Sequence, residues 1–268
     1  MEGVGNEAGP NLGVDVYAPE RIQQILATAR ADGRVDVTDL AHDLGVTPET
    51  IRRDLTVLER HGRVRRVHGG AIPVERLGFE LGLADRQGVL TAEKDRIARA
   101  ALSELPDDGA IVIDAGTTTV RFAEILPDDR PLTVVTHALP VAMALAGRSN
   151  ITLHLIGGTV RGLTFAAVGR WALRSIADIH PDVAFVGTNG LTVEHGLTTP
   201  DLAEAAIKSA LIAAAQRTVV LADHTKIGRA DFAHVAPLSA VDLVISDADL
   251  DEELAAELQA AGPQVVRA

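Results

Sequence analysis

Apolar residues near the N-terminus recur at helical spacing. After Pro19, residues Ile22, Ile25, Leu26 and Ala29 fall on one face, which predicts a helix ending near Gly33. Val35 and Val37 alternate as in a short strand. Thr38 is placed to cap a second helix whose Leu40, Ala41 and Leu44 face inward until Gly45 stops it. Thr47 and Pro48 then supply a cap and a first helical residue for a third helix, with Ile51, Leu55 and Leu58 as its buried stripe and Gly62 as its end. Arg63 to Val67 and the turn His68-Gly69-Gly70 read as a two-stranded wing. Two helices across a tight glycine turn, followed by a hairpin, form the pattern of a winged helix-turn-helix.

From about Gly88 the pattern changes to alternating strand-like and helix-like runs, as in a mostly parallel sheet with flanking helices. Strands are expected at Ala110–Ile113, Leu132–Thr136, Ile151–Ile156, Asp182–Val186, Thr218–Leu221, Val241–Ile245 and Gln264–Val266. Helices are expected at Glu93–Leu105, Val120–Leu126, Leu139–Ala146, Leu202–Gln216 and Asp251–Ala261. The fold class is therefore α/β, an N-terminal winged helix-turn-helix followed by an open α/β domain. The expected organisation is a tail over 1–16, a DNA-binding domain over 17–72, a linker over 73–88 anchored by Leu77, Phe79 and Leu81, and a second domain over 89–268. No internal repeat is apparent.

The chain has 268 residues, 47% of them hydrophobic and 23% charged, which excludes a disordered chain. It has no cysteine, so no disulfide scaffold, thiolate metal site or catalytic thiol is available. No apolar run approaches the roughly 18 residues that span a bilayer, and Met1-Glu2-Gly3 does not open a signal peptide. The expectation is a soluble cytoplasmic protein without membrane contact.

A net charge of −12 argues superficially against nucleic acid, but the charge is unevenly placed. Residues 1–76 carry 10 Lys and Arg against 12 Asp and Glu, or −2, so the remainder carries −10. Residues 47–76 hold seven arginines against four acids, a local +3. Such a cluster suits phosphate neutralisation, although a solvated helix face has the same charge. On the third helix Glu49, Arg53, Thr56 and Arg60 lie opposite the buried stripe, with Thr50 and Arg52 on its flanks. Arg52 and Arg53 are expected to divide base and phosphate contacts, since arginine bonds guanine O6 and N7 bidentately. Thr47 and Thr50 are expected on phosphate, and Arg65, Arg66 and His68 place the wing on the backbone.

The run Gly45-Val46-Thr47-Pro48-Glu49-Thr50-Ile51-Arg52-Arg53-Asp54-Leu55, then Leu58-Glu59 and Arg66-Val67-His68-Gly69-Gly70-Ala71, resembles the signature of the DeoR family of bacterial transcriptional regulators. The resemblance continues through Asp114-Ala115-Gly116-Thr117-Thr118, Thr136, Gly157-Gly158, Asp182 to Gly187 and Asp223 to Lys226. His137 stands where the family often has Asn, and Thr225 where it often has Ser. The resemblance implies a repressor of double-stranded operator DNA, acting as a homo-oligomer, whose C-terminal domain is similar to ribose-5-phosphate isomerases and binds a phosphorylated sugar. Val16 to Arg21, Glu194 to Asp201 and Leu202-Ala203-Glu204 look like actinobacterial regulators of fructose-uptake operons, which implies fructose 1-phosphate as effector.

Three segments are candidates for that effector. Asp114 ends a buried strand, and Gly116-Thr117-Thr118 turns into a helix whose N-terminus suits an anion, or is simply a helix cap. Gly157-Gly158 and Arg161 form a second turn, and Asp223 with Lys226 a third. Loops after strand C-termini converge on one edge of an open α/β sheet, so the three are expected to meet around one ligand. Arg161 and Lys226 are expected to neutralise the phosphate, with Asp114 or Asp223 on sugar hydroxyls. Glu204 and Lys208 match the family's helix near the pocket, or form a surface ion pair one turn apart.

The competing class is an isomerase carrying a DNA-binding domain, yet Phe185 to Gly190 lacks a carboxylate base. Asp182, at a strand start, reads as structural. The nine histidines form no HExxH pair, and no metal or cofactor is called for. A purely architectural DNA protein leaves the large acidic domain unexplained.

Overall fold

The computed structural model describes residues 18–60, 63–67, 69–73 and 82–268. The expected tail, His68 and the anchors Leu77, Phe79 and Leu81 lie outside the described residues. The chain divides between Phe79 and Glu80 into two compact units.

The first unit comprises α1 (Ala18–Asp32), β1 (Val35–Asp36), α2 (Val37–Asp43), α3 (Pro48–Arg60), β2 (Val64–Val67) and β3 (Gly70–Pro73). Ile25, Ala29, Leu40, Ala41, Ile51, Leu55 and Leu58 meet in its core, which bears out the helical stripes. The cap of α2 differs from expectation. Asp36 fills it, its Oδ1 accepting from Thr38 N at 2.8 Å, because Val37 is already helical. Gly45 turns α2 into α3 at φ +63°, where an L side chain is strained. A buried ion pair invisible to local pattern joins α1 to α3, with Arg21 Nε donating to Asp54 Oδ2 at 2.6 Å. The hairpin β2–β3 pairs Arg66 with Ala71, and β3 also pairs with β1.

The second unit begins with α4 (Leu83–Gln87), so the latter part of the expected linker is helical. It continues through α5 (Thr91–Ala101), β4 (Ala110–Ile113), α6 (Thr117–Glu124), β5 (Leu132–Thr136), α7 (Leu139–Leu145) and β6 (Ile151–Leu155). A small hairpin, β7 (Thr159–Val160) and β8 (Ala167–Val168), leads into α8 (Arg170–Ile176) and β9 (Val183–Gly187). Then follow β10 (Gly190–Thr192), β11 (Gly196–Thr199), α9 (Leu202–Ala214), β12 (Arg217–Leu221), β13 (Ala233–Ala236), β14 (Leu243–Ser246), α10 (Glu252–Ala260) and β15 (Gln264–Arg267). Seven parallel strands form one sheet in the order β15-β14-β12-β9-β4-β5-β6, while β10, β11 and β13 form a separate antiparallel sheet.

The chain builds outward from β4 through β5 to β6, then returns to β9 on the other side of β4 and builds the opposite way. The reversal makes the crevice beyond the C-terminal ends of β4 and β9 a natural ligand position. Two apolar layers fill the faces of the sheet, one including Ile97, Ile113, Phe122 and Val141, the other Val112, Ile176, Ile207 and Leu211.

Candidate functional site

On α3 the periodic stripe turns Ile51, Leu55 and Leu58 into the core and leaves Thr47, Glu49, Arg52 and Arg53 exposed. Thr47 Oγ1 accepts from Thr50 N at 3.2 Å and lies 2.9 Å from Thr50 Oγ1, so both hydroxyls are organised at the helix start. Arg52 Nη1 donates to Glu49 Oε2 at 3.2 Å. Arg66, expected to place the wing on the DNA backbone, has partners within the unit: its Nη1 donates to Thr56 Oγ1 at 3.2 Å and its backbone N donates to Glu59 Oε1 at 3.0 Å. It ties the wing to α3, with a half-buried guanidinium over the helix. The side chain of Arg65 is outside the described residues.

At the crevice between β4 and β9, Asp114 is fully buried. Its Oδ1 lies 2.9 Å from His137 Nε2, and its Oδ2 accepts from Gly187 N at 2.9 Å and from Lys208 Nζ. Lys208 also donates to Gly187 O at 2.9 Å, and His137 Nδ1 donates to Ala167 O at 2.9 Å. Burial pushes the Asp114 carboxyl up, but the Lys208 charge and the His137 hydrogen bond outweigh it and hold the group at about 2. Both oxygens are engaged within the protein, so of the two acids expected on sugar hydroxyls, Asp114 and Asp223, Asp114 is the one already committed to internal partners. It organises Lys208 and His137 around the crevice instead.

Glu204 and Lys208 are both buried and do not pair with one another, so the surface ion-pair reading fails. Glu204 Oε1 accepts from Arg161 Nη1 at 2.5 Å and from Thr164 Oγ1, while Arg161 Nη2 lies 3.3 Å from Asp201 Oδ2. Arg161 is thus held by two carboxylates, and the structure places it with α9 instead of as a spare cation. Asp201 caps α9, accepting from Glu204 N at 2.9 Å. Gly158 has a packing reason of its own, since a Cβ there meets Val168 O at 2.6 Å; Gly157 is exposed beside it.

The cations collect elsewhere on the same edge. Asp223 is buried after β12 and caps the short turn that carries Lys226, accepting from Thr225 N at 3.2 Å. Sequence reasoning missed Lys94, a buried lysine on the apolar face of α5 whose Nζ donates to Arg86 O and Val89 O, each at 2.7 Å. Its position one turn before Ile97 and Ala98 was the available signal. Burial lowers Lys94 to about 8, with Asp223 opposing and Lys226, Arg86 and Arg121 reinforcing that shift. Burial likewise lowers Lys226, again against the pull of Asp223. α6 starts at Gly116 with no side chain bonded across its cap, and Thr117 and Thr118 are buried in its first turn. Helix N–H groups and the ammonium groups of buried Lys94 and half-buried Lys226 therefore share the edge formed by the loops after β4 and β12.

Among the described residues, His224, Asp247 and Asp249 bring potential metal ligand atoms within 4.8 Å of one another. Their arrangement has a turn-building explanation, since Asp247 accepts from His224 N and Asp249 N and pairs with His224 Nδ1. No helix among the described residues is long and apolar enough to cross a membrane.

A winged helix-turn-helix with an arginine-bearing recognition helix, joined to an α/β unit with an ionic crevice, is the build of a DNA-binding regulator with a sensor domain. Family models match accordingly: a DeoR-like helix-turn-helix domain over residues 21–76 and a DeoR C-terminal sensor domain over 90–248. The chain belongs to the DeoR family of transcriptional regulators. It is 39% identical over 88% of its length to the HTH-type transcriptional regulator GlpR of Haloferax volcanii, covering 92% of that protein. It is 31% identical over 85% of its length to the glycerol-3-phosphate regulon repressor of Escherichia coli K12, covering 90% of it. Ribose 5-phosphate isomerase A of Methanocaldococcus jannaschii aligns with half of each chain, 50% of this one and 52% of that one, at 17% identity and a TM-score of 0.37.

Proposed function

We propose that this protein is a cytoplasmic repressor of sugar-uptake and catabolic genes, binding its operator as a homo-oligomer and releasing it when fructose 1-phosphate binds the second unit. The observation that carries the reading is the juxtaposition of buried Lys94 and half-buried Lys226 on the edge where α6 presents its N-terminus. The N–H groups of Gly116, Thr117 and Thr118 with Lys226 and Lys94 hold the phosphate, and Glu204 and Asp223 accept from sugar hydroxyls. His137 and Lys208, fixed by Asp114, shape the crevice between them. A helix-turn-helix unit reads one half-site, so a palindromic operator calls for two copies.

The test is a thermal-shift titration with fructose 1-phosphate and with fructose, beside operator binding by fluorescence anisotropy at fixed salt. Fructose 1-phosphate raises the melting temperature and lowers operator affinity, while fructose does neither. Thr118→Ala and Lys226→Ala bind operator normally and lose the response. Equal responses to both sugars remove phosphate from the reading. Aldose–ketose turnover of the same compounds, with operator binding indifferent to them, favours the isomerase instead.

The same site gives a pH dependence. Lys94 must be charged to hold phosphate, and its pKa of about 8 in the free protein lies in the working range. Phosphosugar affinity therefore falls about tenfold from pH 7 to pH 9, the loss of one protonated site. Titrations of Lys94→Met across this range are weaker and flat. A wild-type affinity that does not change with pH removes Lys94 from the phosphate contacts.

A further inference from the structure

α4 is a single-turn helix at the start of the second unit, and elements of the crevice hold both of its ends. At its N-terminus, Leu83 N donates to Leu163 O at 2.9 Å. Leu163 lies in the β7–β8 loop, whose Arg161 and Thr164 both bond to Glu204. At its C-terminal side, Lys94 Nζ bonds to the carbonyls of Arg86 and Val89.

Backbone strain falls at the same two places. Among the described residues only Leu90 and Phe165 are non-glycine residues at positive φ, at +51° and +55°. Leu90 joins α4 to α5, and Phe165 closes the loop that receives Leu83. Large side chains are rarely found there, and strain of this kind persists only when the surrounding contacts enforce it. A groove of about 560 Å³ runs beside α4, lined by Leu83 and Gln87 on one side and Met143 and Phe165 on another, which leaves the helix room to shift.

We infer that α4 is a switch helix, clamped at Leu163 and Lys94 as seen here and released when a phosphorylated sugar draws Lys94 and the Arg161–Glu204 pair toward itself. The inference rests on the proposed effector site. α4 is the first described element of the second unit, so its release alters the N-terminal start of that unit. The strain at Leu90 and Phe165 brings the two states close in energy, so a modest ligand contact is enough to exchange them.

Leu83→Pro tests the clamp, because proline is well tolerated at the first helical position yet removes the N–H that reaches Leu163. Leu83→Ala keeps the N–H and controls for the lost side chain. Leu90→Gly removes the cost of the left-handed backbone and strengthens the clamped state. Operator binding of the full chain is followed by anisotropy against fructose 1-phosphate, with sugar binding measured separately by thermal shift.

Relative to Leu83→Ala, Leu83→Pro lowers the half-release concentration about fivefold, the effect of one hydrogen bond. Leu90→Gly raises it about fivefold against wild type. Both variants keep the sugar-induced thermal shift. Unshifted release curves in both overturn the switch, and if Leu83→Pro fails to fold, an unshifted Leu90→Gly curve does so alone. If the wild type shows no sugar-induced thermal shift, the effector reading falls, and the clamp is judged on sugar-free operator affinity. There, weaker binding by Leu83→Pro than by Leu83→Ala supports the switch, and equal binding overturns it.

Discussion

Asp114→Ala destabilises the second unit by about 3–5 kcal/mol, the usual cost of stranding a buried partner charge. Lys208 then sits 3% exposed without its carboxylate, His137 loses its Oδ1 contact and Gly187 N loses its acceptor. For a domain of this size the melting temperature drops by about 10 °C. Adding Lys208→Met to Asp114→Ala recovers more than half of the loss, because the second change removes the stranded charge. Thermal unfolding of wild type, both single variants and the double variant measures it. A single-variant loss under about 1 kcal/mol shows that the triad is solvated and not buried.

The pH dependence of this stability has a definite sign. The folded carboxyl titrates at about 2, below its ordinary value of 3.8, so its stabilisation is fully present above about pH 4. It is lost as pH falls toward 2, and acid unfolding of Asp114→Asn is correspondingly shallower there.

Arg53→Ala weakens operator binding by about 1–3 kcal/mol, roughly fivefold to 150-fold, if Arg53 bonds a guanine edge. Arg53 is exposed on α3, opposite the packed Ile51 and Leu55. Its removal opens no cavity, and the melting temperature stays within about 1 °C of wild type. Arg52 differs, since it already bonds Glu49, and Arg52→Ala loses less sequence discrimination than Arg53→Ala. Anisotropy on the operator and on base-substituted operators at one salt concentration separates the two roles. Equal weakening on every sequence makes Arg53 a phosphate contact, and a fall in stability with operator binding intact ends the recognition-helix assignment.

The DNA-binding unit was legible because its information is local. Helical periodicity, the Thr47–Pro48 start and the Gly45 turn all lie within a few residues of what they control. The main strands were legible for a similar reason: a strand covered on both faces reads as an uninterrupted apolar run, such as Ala110–Ile113 or Val183–Val186. The hairpin β7–β8 and the small sheet of β10, β11 and β13 have strands of two to four residues and no such run. Their pairing depends on neighbours distant in sequence. α4 was hidden in the expected linker because five residues are too few to show a helical period.

The crevice divides along the same line. Sequence alone determined that Asp114, Gly116, Thr117, Thr118, Asp223 and Lys226 follow strand ends, because strand and turn signals are short-range. Only the tertiary structure decided what each side chain meets. Glu204 and Lys208 are four residues apart, close enough to suggest a pair, yet the helix turns one toward Arg161 and the other toward Asp114, 94 positions away in sequence. Helical spacing fixes which residues share a face, but burial of that face against a sheet replaces the weak contact between neighbours with stronger, desolvated ones to distant partners.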